Sequence, residues 1–429
     1  MTIRELTDIL RESGADAWEI TDTRTEGWEF YFIRHALDQN RVRDVEHMEI
    51  AVYRAMDDGG MLGRASAEIP PTATAEEARK EIAGLLKDAE YAKNPAYRLN
   101  VPAPFDEPQT QEADPAAIAR EYLETMQGIP ETDGEDLNSY EIFVDRQTVR
   151  YCNSEGIDVT QTYPSSTVEV VVNARDGGQE IELYRLFQAG TCDRKMLSED
   201  IGELMRFGRD RLAARPTPAI GTGAVLFPTK DAVELYRYFA DRMNAKLVYM
   251  KMSDWKIGTA YASEAKGDQV TLTARAFLPN SSRNRVFDEE GAPVRDLPII
   301  TNGIPEHYWG KRQFRYYLDE EAGFDVGNFE VSGGTGTEES LRRGSYLEVV
   351  EFSDFSVDEL TGDLAGEIRL AYWHDGDREI PVTGGSVSGT LRELVNDMRF
   401  SAAQRQYDNY LIPRLTRLEG VNITGIEED

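Results

Sequence analysis

Alternating apolar and polar residues predict strands in the first quarter of the chain, and two helices are predicted beside them. The segment His47–Arg54 alternates in this way, which is typical of a half-buried strand. Thr2 and Thr74 are each followed three residues later by glutamate, so both begin capping boxes at helix starts. Further strands are expected at Ala17–Thr23, Trp28–Ile33 and Met61–Ile69. Residues 1–100 are therefore predicted to form an N-terminal α/β domain.

Two proline-rich segments interrupt this pattern and divide the chain of 429 residues into three predicted domains. Residues 101–115 and 214–220 are interpreted as linkers. The middle domain, residues 116–213, is expected to contain short strands over Tyr140–Arg185 between two helices. Residues 221–429 form the predicted C-terminal β-rich domain, and the expected fold class is α+β.

The C-terminal domain carries the clearest succession of strands and turns. Asp-Gly at positions 375–376 lies between two apolar-alternating runs, and it is a strong hairpin signal because both turn positions need positive φ. The glycine-rich segment Gly384–Gly389 is expected to open a helix over Thr390–Met398. Strands are predicted at Tyr346–Glu351, Glu367–Trp373 and Arg378–Val382.

This order of elements resembles the C-terminal domain of the TldD/PmbA family, which also carries the older label of modulator of DNA gyrase. In that family a Thr-Gly-Asp turn, a hairpin ending in Pro-Val and a Ser-Gly-Thr-Leu segment recur in the same order. Here they are Thr361–Asp363, Pro381–Val382 and Ser388–Leu391. The family contains zinc metallopeptidases and their metal-free partner subunits, and the resemblance is closest to the PmbA/TldE-like partner subunit.

The resemblance places the zinc motif of the active subunit, His-Glu-x-x-x-His, on the helix that follows residues 225–228. Neutral imidazoles bind zinc there, and the carboxylate takes a proton from the bound water. By position, Tyr236 stands for the first histidine, Arg237 for the glutamate and Asp241 for the second histidine. A guanidinium cannot act as a base, and it repels a divalent cation. The resemblance therefore implies no metal in this chain and zinc in a TldD-like partner.

The cysteines and histidines offer no replacement metal site by their spacing. Cys152 and Cys192 are too few for a disulfide framework, and the late cysteine that the resemblance would place in the C-terminal domain is missing. The four histidines are His35, His47, His307 and His374. Each is interpreted as a surface or core-edge residue, while a composite site of His307 with His374 stays open.

Two segments are candidates for the lining of a peptide groove. The turn at Phe287–Gly291 is similar to an Asp-Asp-Glu-Gly turn of the family, and its alternative interpretation is a purely structural acidic turn with glycine in the left-handed position. The second segment is Gly384–Gly389, in which Ser388 is also interpreted as a helix N-cap. The candidate groove residues are Arg285, Phe287, Asp288, Glu290, Gly291, Gly385, Ser388 and Gly389.

The net charge of −31 disfavours nucleic acid as a ligand, because phosphate binding needs clustered lysine and arginine. The gyrase label is therefore not taken as evidence of DNA contact. The acidity is interpreted as solubility in a salty or crowded cytosol, with recruitment of a basic partner as the alternative. No apolar run approaches the ~20 residues of a membrane span, and the N-terminal segment lacks a secretory pattern, so we expect a cytoplasmic protein.

These features favour the non-catalytic subunit of a cytosolic TldD/TldE-type zinc metallopeptidase that degrades or processes unfolded peptides. The expected partner is a TldD-like catalytic subunit in a heterodimer, and the expected binding mode is backbone pairing of an extended peptide with an edge strand. One alternative is a metallopeptidase in its own right with atypical ligands. The other is a homodimeric peptide-binding or scaffold protein without a protease partner.

Overall fold

The computed structural model describes residues 1–104, 113–262 and 264–426, and its N-terminal half is built on one large sheet. The strands are β1 (Ala17–Ile33), β2 (Ala36–Met56), β3 (Met61–Ile69), β4 (Asn94–Pro95), β5 (Glu135–Asn153), β6 (Asp158–Asp176) and β7 (Gln179–Ala189). The helices are α1 (Ile3–Glu12), α2 (Ala75–Ala89), α3 (Pro115–Gln127) and α4 (Arg194–Leu212). All seven strands pair antiparallel in the order β4-β3-β2-β1-β5-β6-β7.

This sheet takes strands from both sides of the predicted linker 101–115, because β1 pairs with β5 along most of its length. Residues 105–112 of that linker lie outside the described residues. The domain boundaries inferred from composition stay predictions.

Side-chain alternation divides the sheet into a helix-covered face and a second face that lies against the C-terminal half. In β1, Trp18 and Ile20 pack into the cluster that contains the apolar side chains of α1 and α2. Their neighbours Glu19 and Thr21 lie on the opposite face, where they line a cavity. Helices α3 and α4 cover the other end of the helix face through a second apolar cluster with β5, β6 and β7.

The helix starts follow the capping pattern of the sequence. The Thr2 hydroxyl accepts a hydrogen bond from the Glu5 amide (3.3 Å), and the Glu5 carboxylate accepts one from the Thr2 amide (2.8 Å). Thr74 and Glu77 form the same reciprocal pair, and the Asp114 side chain caps α3. Such caps contribute about 0.5–2 kcal/mol each, so these local signals are strong enough to fix the starts of the three helices.

The C-terminal half contains two further sheets and short helices. Its strands are β8 (Arg215–Pro216), β9 (Gly221–Pro228), β10 (Leu272–Arg275), β11 (Leu297–Thr301), β12 (Ile304–Pro305), β13 (Asn328–Val331), β14 (Tyr346–Val357), β15 (Asp363–His374), β16 (Glu379–Thr383), β17 (Ser386–Thr390), β18 (Arg399–Phe400), β19 (Gln404–Tyr407), β20 (Tyr410–Pro413) and β21 (Leu415–Thr424). Its helices are α5 (Thr229–Arg242), α6 (Ala245–Tyr249), α7 (Arg312–Tyr317), α8 (Glu338–Leu341) and α9 (Leu391–Leu394).

One of these sheets closes on itself. Strand β14 pairs with both β9 and β15, and the order β14-β9-β21-β17-β15 completes a ring. The other sheet has the order β12-β11-β10-β13-β20-β19. Helix α5 lies between them, with Tyr236, Phe239 and Ala240 in the largest apolar cluster of the protein. The fold class is therefore α+β, as the sequence predicts, and no helix of the described ranges is long and apolar enough to cross a membrane.

Buried charges join the two halves. Arg185 on β7 forms an ion pair with Glu351 on β14, and both side chains are less than a tenth exposed. The Lys230 ammonium lies 3.2 Å from the other oxygen of Glu351. The Tyr407 hydroxyl donates to the carbonyl of Leu186 (3.0 Å) across the same boundary. Removing one partner of a buried pair leaves an uncompensated charge, so these contacts hold the halves in one arrangement.

Three strand and helix predictions are wrong. The expected helix over Thr390–Met398 shrinks to the four residues of α9, because Ser386–Thr390 pairs as a strand with β15 and β21 and buries Val387 completely. The short strands expected over Tyr140–Arg185 are instead long, with 19 residues each in β5 and β6. The two strands expected before position 34 are one strand, because the residues between them also pair with β2 and β5, with Gly27 opposite Arg43 and Asp145.

Candidate functional site

A cavity of about 960 Å³ lies between the second face of the seven-stranded sheet and the C-terminal half. The sheet contributes side chains from β1, β2, β3, β5, β6 and β7, and most of the opposite wall comes from α5 and from segments of the C-terminal half. Eight acidic, five basic and eight aromatic side chains line it. The segments on the opposite wall are 283–290, 309–313, 325–329 and 408–410. A polar cavity of this size between two halves of a chain is the strongest candidate for a binding site.

The predicted turn Phe287–Gly291 forms part of the cavity wall. Asp288 is only 5% exposed, and its Oδ1 accepts from the amides of Glu290 (2.9 Å) and Ala292 (2.8 Å). Its Oδ2 accepts from the amide of Asp325 (2.9 Å). Gly291 has φ of +74°, as the acidic-turn interpretation predicts, and a Cβ atom there would lie 2.8 Å from the Tyr151 ring. Asp288 therefore fixes the turn and the neighbouring loop together.

Two further carboxyl groups of this wall are held in an unfavourable environment for charge. Burial, reinforced by the nearby Asp288 carboxylate, raises the pKa of Glu290 to about 8 and the pKa of Asp325 to about 6. Oε2 of Glu290 accepts from the Arg312 amide (2.6 Å). On the sheet side, Glu19 accepts from the hydroxyl of Tyr151 (2.6 Å). Carboxyl groups of raised pKa in a cavity are typical of functional sites.

Four of the five basic side chains that line the cavity have partners, and Arg283 is the exception among the described residues. Arg285 donates to the carbonyls of Ser282 (3.1 Å) and Asn284 (2.7 Å) and lies over the Tyr163 ring. The Lys311 ammonium lies 3.6 Å from the Glu289 carboxylate. Nε of Arg64 donates to the Tyr53 hydroxyl (3.3 Å). These cations are therefore less available to a ligand than the carboxylates opposite them.

The three residues that stand for the zinc motif do not all face the cavity from α5. Tyr236 is fully buried, and its hydroxyl shares a hydrogen bond with Oγ1 of Thr416 (2.8 Å). Arg237 and Asp241 lie four residues apart on the face that lines the cavity. Arg237 forms an ion pair with Glu234 (2.8 Å). Burial, with repulsion from Glu359, raises the pKa of Asp241 to about 7.

These residues do not fit a zinc ion. The Tyr236 hydroxyl is turned into the core, where burial raises its pKa and thus disfavours the phenolate that would bind metal. The Arg237 guanidinium lies beside the only carboxylate of the three. Across the described ranges, no group of three or more histidine, cysteine, aspartate or glutamate side chains could hold a metal ion.

The histidines are separate from one another in the structure. His35 lies 3.0 Å from Glu131, His47 lies 2.8 Å from Glu68, and His307 lies 3.4 Å from Glu320. His374 forms a hydrogen bond with the Gly344 carbonyl (3.0 Å). Each histidine has its own local partner.

The second candidate segment lies away from the cavity. Ser388 is paired within the ring of strands, opposite Ala365 on β15 and Asn422 on β21. Gly389 pairs opposite Leu364, and Gly385 lines a separate open pocket beside α4. The structure thus brings Arg285, Phe287, Asp288 and Glu290 together with the degenerate positions Arg237 and Asp241. It does not bring Gly385, Ser388 or Gly389 to them.

Sequence reasoning missed the sheet side of the cavity. Glu19, Tyr53 and Tyr151 belong to strands whose polar positions have the same pattern as a solvent-exposed face. Tyr97 follows the second helix and reaches Tyr53 through its hydroxyl (3.4 Å). A signal was present in the polar alternation of β1, but nothing local in the sequence shows that this face is covered.

The fold and the cavity define a class of protein in which a helix-covered antiparallel sheet closes against a β-rich C-terminal half. Residues 220–425 match the family model described as the PmbA/TldA metallopeptidase C-terminal domain. The C-terminal domain of this chain, residues 220–425, therefore belongs to the TldD/PmbA family. A comparison with curated protein sequences gave no match.

Three solved structures share the fold over nearly their whole length. TldE from Thermococcus kodakarensis is 17% identical with a TM-score of 0.78, over 98% of this chain and 100% of that one. A protein from Thermotoga maritima described as a modulator of DNA gyrase is 15% identical with a TM-score of 0.79, over 99% and 100%. A protein of the same description from Bacteroides thetaiotaomicron is 15% identical with a TM-score of 0.76, over 99% and 98%. At these identities the likeness concerns the fold.

Proposed function

We propose that this chain is the non-catalytic, PmbA/TldE-like subunit of a cytosolic TldD/TldE-type zinc metallopeptidase that degrades or processes unfolded peptides. Its partner in a heterodimer is a TldD-like subunit that carries the zinc. The cavity between the two halves of this chain holds part of the peptide. The structural match to a protein named TldE supports the assignment to this subunit.

One observation carries the proposal. By the family resemblance, Tyr236 and Arg237 stand for the first zinc ligand and the general base, and neither can take over the role. The Tyr236 hydroxyl bonds Thr416 inside the core, so a small rotation does not bring it to the cavity. The helix keeps its packing without the groups that zinc hydrolysis needs.

The test is reconstitution with a TldD-like subunit that carries His-Glu-x-x-x-His. We expect the isolated chain to hold no stoichiometric zinc and to leave an unfolded peptide intact. The complex should hydrolyse that peptide, and a chelator should abolish the activity. Chelator-sensitive hydrolysis by the lone chain would overturn the proposal in favour of a peptidase with atypical ligands. A stable homodimer that ignores the partner would favour a scaffold.

Two matched variants test which subunit hydrolyses the peptide. Replacing the motif glutamate of the partner by glutamine should abolish hydrolysis by the complex, because the general base is lost. Tyr236→Phe in this chain keeps the buried ring and removes the hydroxyl at the position of the first zinc ligand. The complex that contains it should keep its kcat. A loss comparable to that of the partner variant would contradict the assignment.

A further inference from the structure

Three carboxyl groups meet on one wall of the cavity, and we name Asp288, Glu290 and Asp325 the carboxylate cluster. The backbone amides of both Glu290 and Asp325 bond the Asp288 side chain, which brings the three residues together. Glu19, on the opposite sheet, adds a fourth negative group that contributes to the raised pKa of Glu290. Like charges this close destabilise one another unless a cation lies among them.

Some carboxylate oxygens of the cluster accept no hydrogen bond within the described residues. Asp288 uses its carboxylate for three backbone amides. Within the described parts of the chain, the Asp325 carboxylate accepts no hydrogen bond, and Glu290 accepts one, through Oε2. Both side chains line the cavity. A ligand with several N–H donors would satisfy these oxygens, and an uncharged or anionic ligand would leave them unpaired.

The nearest basic side chains do not fill this role. Lys311 lies close enough to the cluster to lower the pKa of Asp325, but its ammonium forms an ion pair with Glu289 (3.6 Å). The Arg315 side chain is 98% buried beneath the wall (2% exposed), where its Nε donates to the Gly310 carbonyl (2.7 Å). Arg315 is therefore a buried countercharge behind three carboxyl groups, and its position is outside the lining of the cavity. The cavity side of the cluster stays acidic.

Two aromatic rings lie near Glu290 of the carboxylate cluster. Tyr97 and Tyr151 line the cavity close enough to Glu290 for its charge to help raise the pKa of both phenols. Ring faces beside carboxylates are the surroundings in which proteins bind organic ammonium groups. A bare divalent ion fits less well, because in the described part of the chain the carboxylates are not arranged as a metal site.

We infer that the carboxylate cluster binds a primary ammonium group of a peptide, either its free N-terminus or a lysine side chain, and so gives the cavity a preference for cationic peptides. The inference rests on the proposed function, from which it takes the peptide as ligand. The cluster holds the cation by charge-assisted hydrogen bonds to Glu290 and Asp325. The remaining volume of the cavity, about 960 Å³ in all, receives the neighbouring residues of the peptide.

Binding of four labelled peptides of one sequence tests the inference. One has a free N-terminus and a lysine, one is N-acetylated, one carries norleucine for lysine, and one has both changes. Affinities are measured by fluorescence anisotropy at pH 7 and in 0.15 M and 0.5 M salt, with the full chain alone and in complex with an inactive partner. We expect the doubly neutral peptide to bind about tenfold more weakly than the doubly cationic one. The two single changes show which ammonium is held.

Variants separate the cluster from general attraction to an acidic protein. Asp325→Asn and Glu290→Gln should each reduce the preference for the cationic peptide about fivefold to tenfold. Glu199→Gln makes the same charge change on the exposed surface of α4, with 66% of the side chain exposed, and should leave the preference unchanged. Thermal unfolding of each variant establishes that it is folded.

The outcomes distinguish the two proposals. Binding of all four peptides with equal affinity would overturn the ammonium site and leave the proposed function intact. A preference that survives in Asp325→Asn and Glu290→Gln would also overturn it, because the overall charge of the protein would then be the cause. Failure of every peptide to bind, alone and in the complex, would overturn both the site and the peptide-holding role.

Discussion

Burial controls the charge of the residues that line the cavity. Glu290, Asp325 and Asp241 all lie on its wall, and in each case loss of solvent is the largest cause of a raised pKa. Protons are therefore partly bound on this wall near neutral pH. The charge of the wall depends on its occupant, because a cation in the cavity favours the ionised form of all three groups.

Glu290→Gln should stabilise the protein increasingly as pH rises. The pKa of Glu290 is raised from 4.5 to about 8, so the folded state binds this proton more tightly than the unfolded state. The free-energy cost of the buried charge is absent below pH 4.5, grows as the pH rises from there, and is complete above about pH 8. Glutamine removes the charge and keeps an acceptor for the Arg312 amide. The difference in unfolding free energy, variant minus parent, should rise on the order of 1–3 kcal/mol between pH 5 and pH 8.5.

The measurement is denaturant unfolding of both proteins across that pH range. Glu199→Gln, exposed on α4, is the control and should show a flat difference. A flat difference for Glu290→Gln as well would mean that this carboxyl group ionises freely in the folded protein.

Local signals predict the elements whose causes are local. The capping boxes at Thr2 and Thr74 appear as expected, since each depends on a few adjacent residues. The hairpin at 375–376 also forms, but of its two Asp-Gly positions only Gly376 has positive φ (+110°). Segment Ser386–Thr390 has a helix-start composition but becomes β17, because the strands on both sides of it complete its ladder. Composition cannot show which strands are neighbours in space, so pairing overrides it here.

Gly385→Ala should be more destabilising than Gly344→Ala. Both glycines have positive φ, +77° and +75°, so alanine at either position incurs a strain of roughly 1–2 kcal/mol. At Gly385 the new Cβ would also lie 2.0 Å from the Thr424 carbonyl oxygen, whereas nothing lies within 4 Å at Gly344. Backbone at the end of β21 would have to move, so we expect a further loss of about 1–3 kcal/mol.

Urea unfolding of the two alanine variants measures the difference directly. Since the strain of positive φ is common to both, Gly344→Ala is the control for it. Equal losses would mean that the β16–β17 turn adjusts freely. In that case the close approach to Thr424 would not determine the path of the chain.

At the scale of the molecule, the site arises from two halves that the sequence does not join. The turn Phe287–Gly291 is recognisable from its residues, but Glu19 reaches the same cavity from a strand near the other end of the chain. The contact depends on long-range packing, including the buried pair of Arg185 with Glu351. The resemblance to a family predicted the fold class and, on the cavity wall, Arg285 and the turn Phe287–Gly291. The sheet side required knowledge of which sheet face is covered.

The excess of negative charge should make the folded protein more stable in salt. The chain carries 78 acidic and 47 basic residues, a net charge of −31. Folding brings these charges closer together, and their repulsion opposes the folded state. Salt also weakens exposed ion pairs such as Arg150 with Asp158, but such pairs contribute only about 0–1 kcal/mol each. Screening of the excess negative charge should therefore dominate, and most of the rise in Tm should occur between 0.05 M and 1 M KCl, where the Debye length falls to about 3 Å.

Thermal unfolding in a KCl series measures the change in Tm, and sucrose at equal osmolality controls for solute exclusion. A Tm that falls with KCl would mean that ion pairs outweigh net repulsion in this protein.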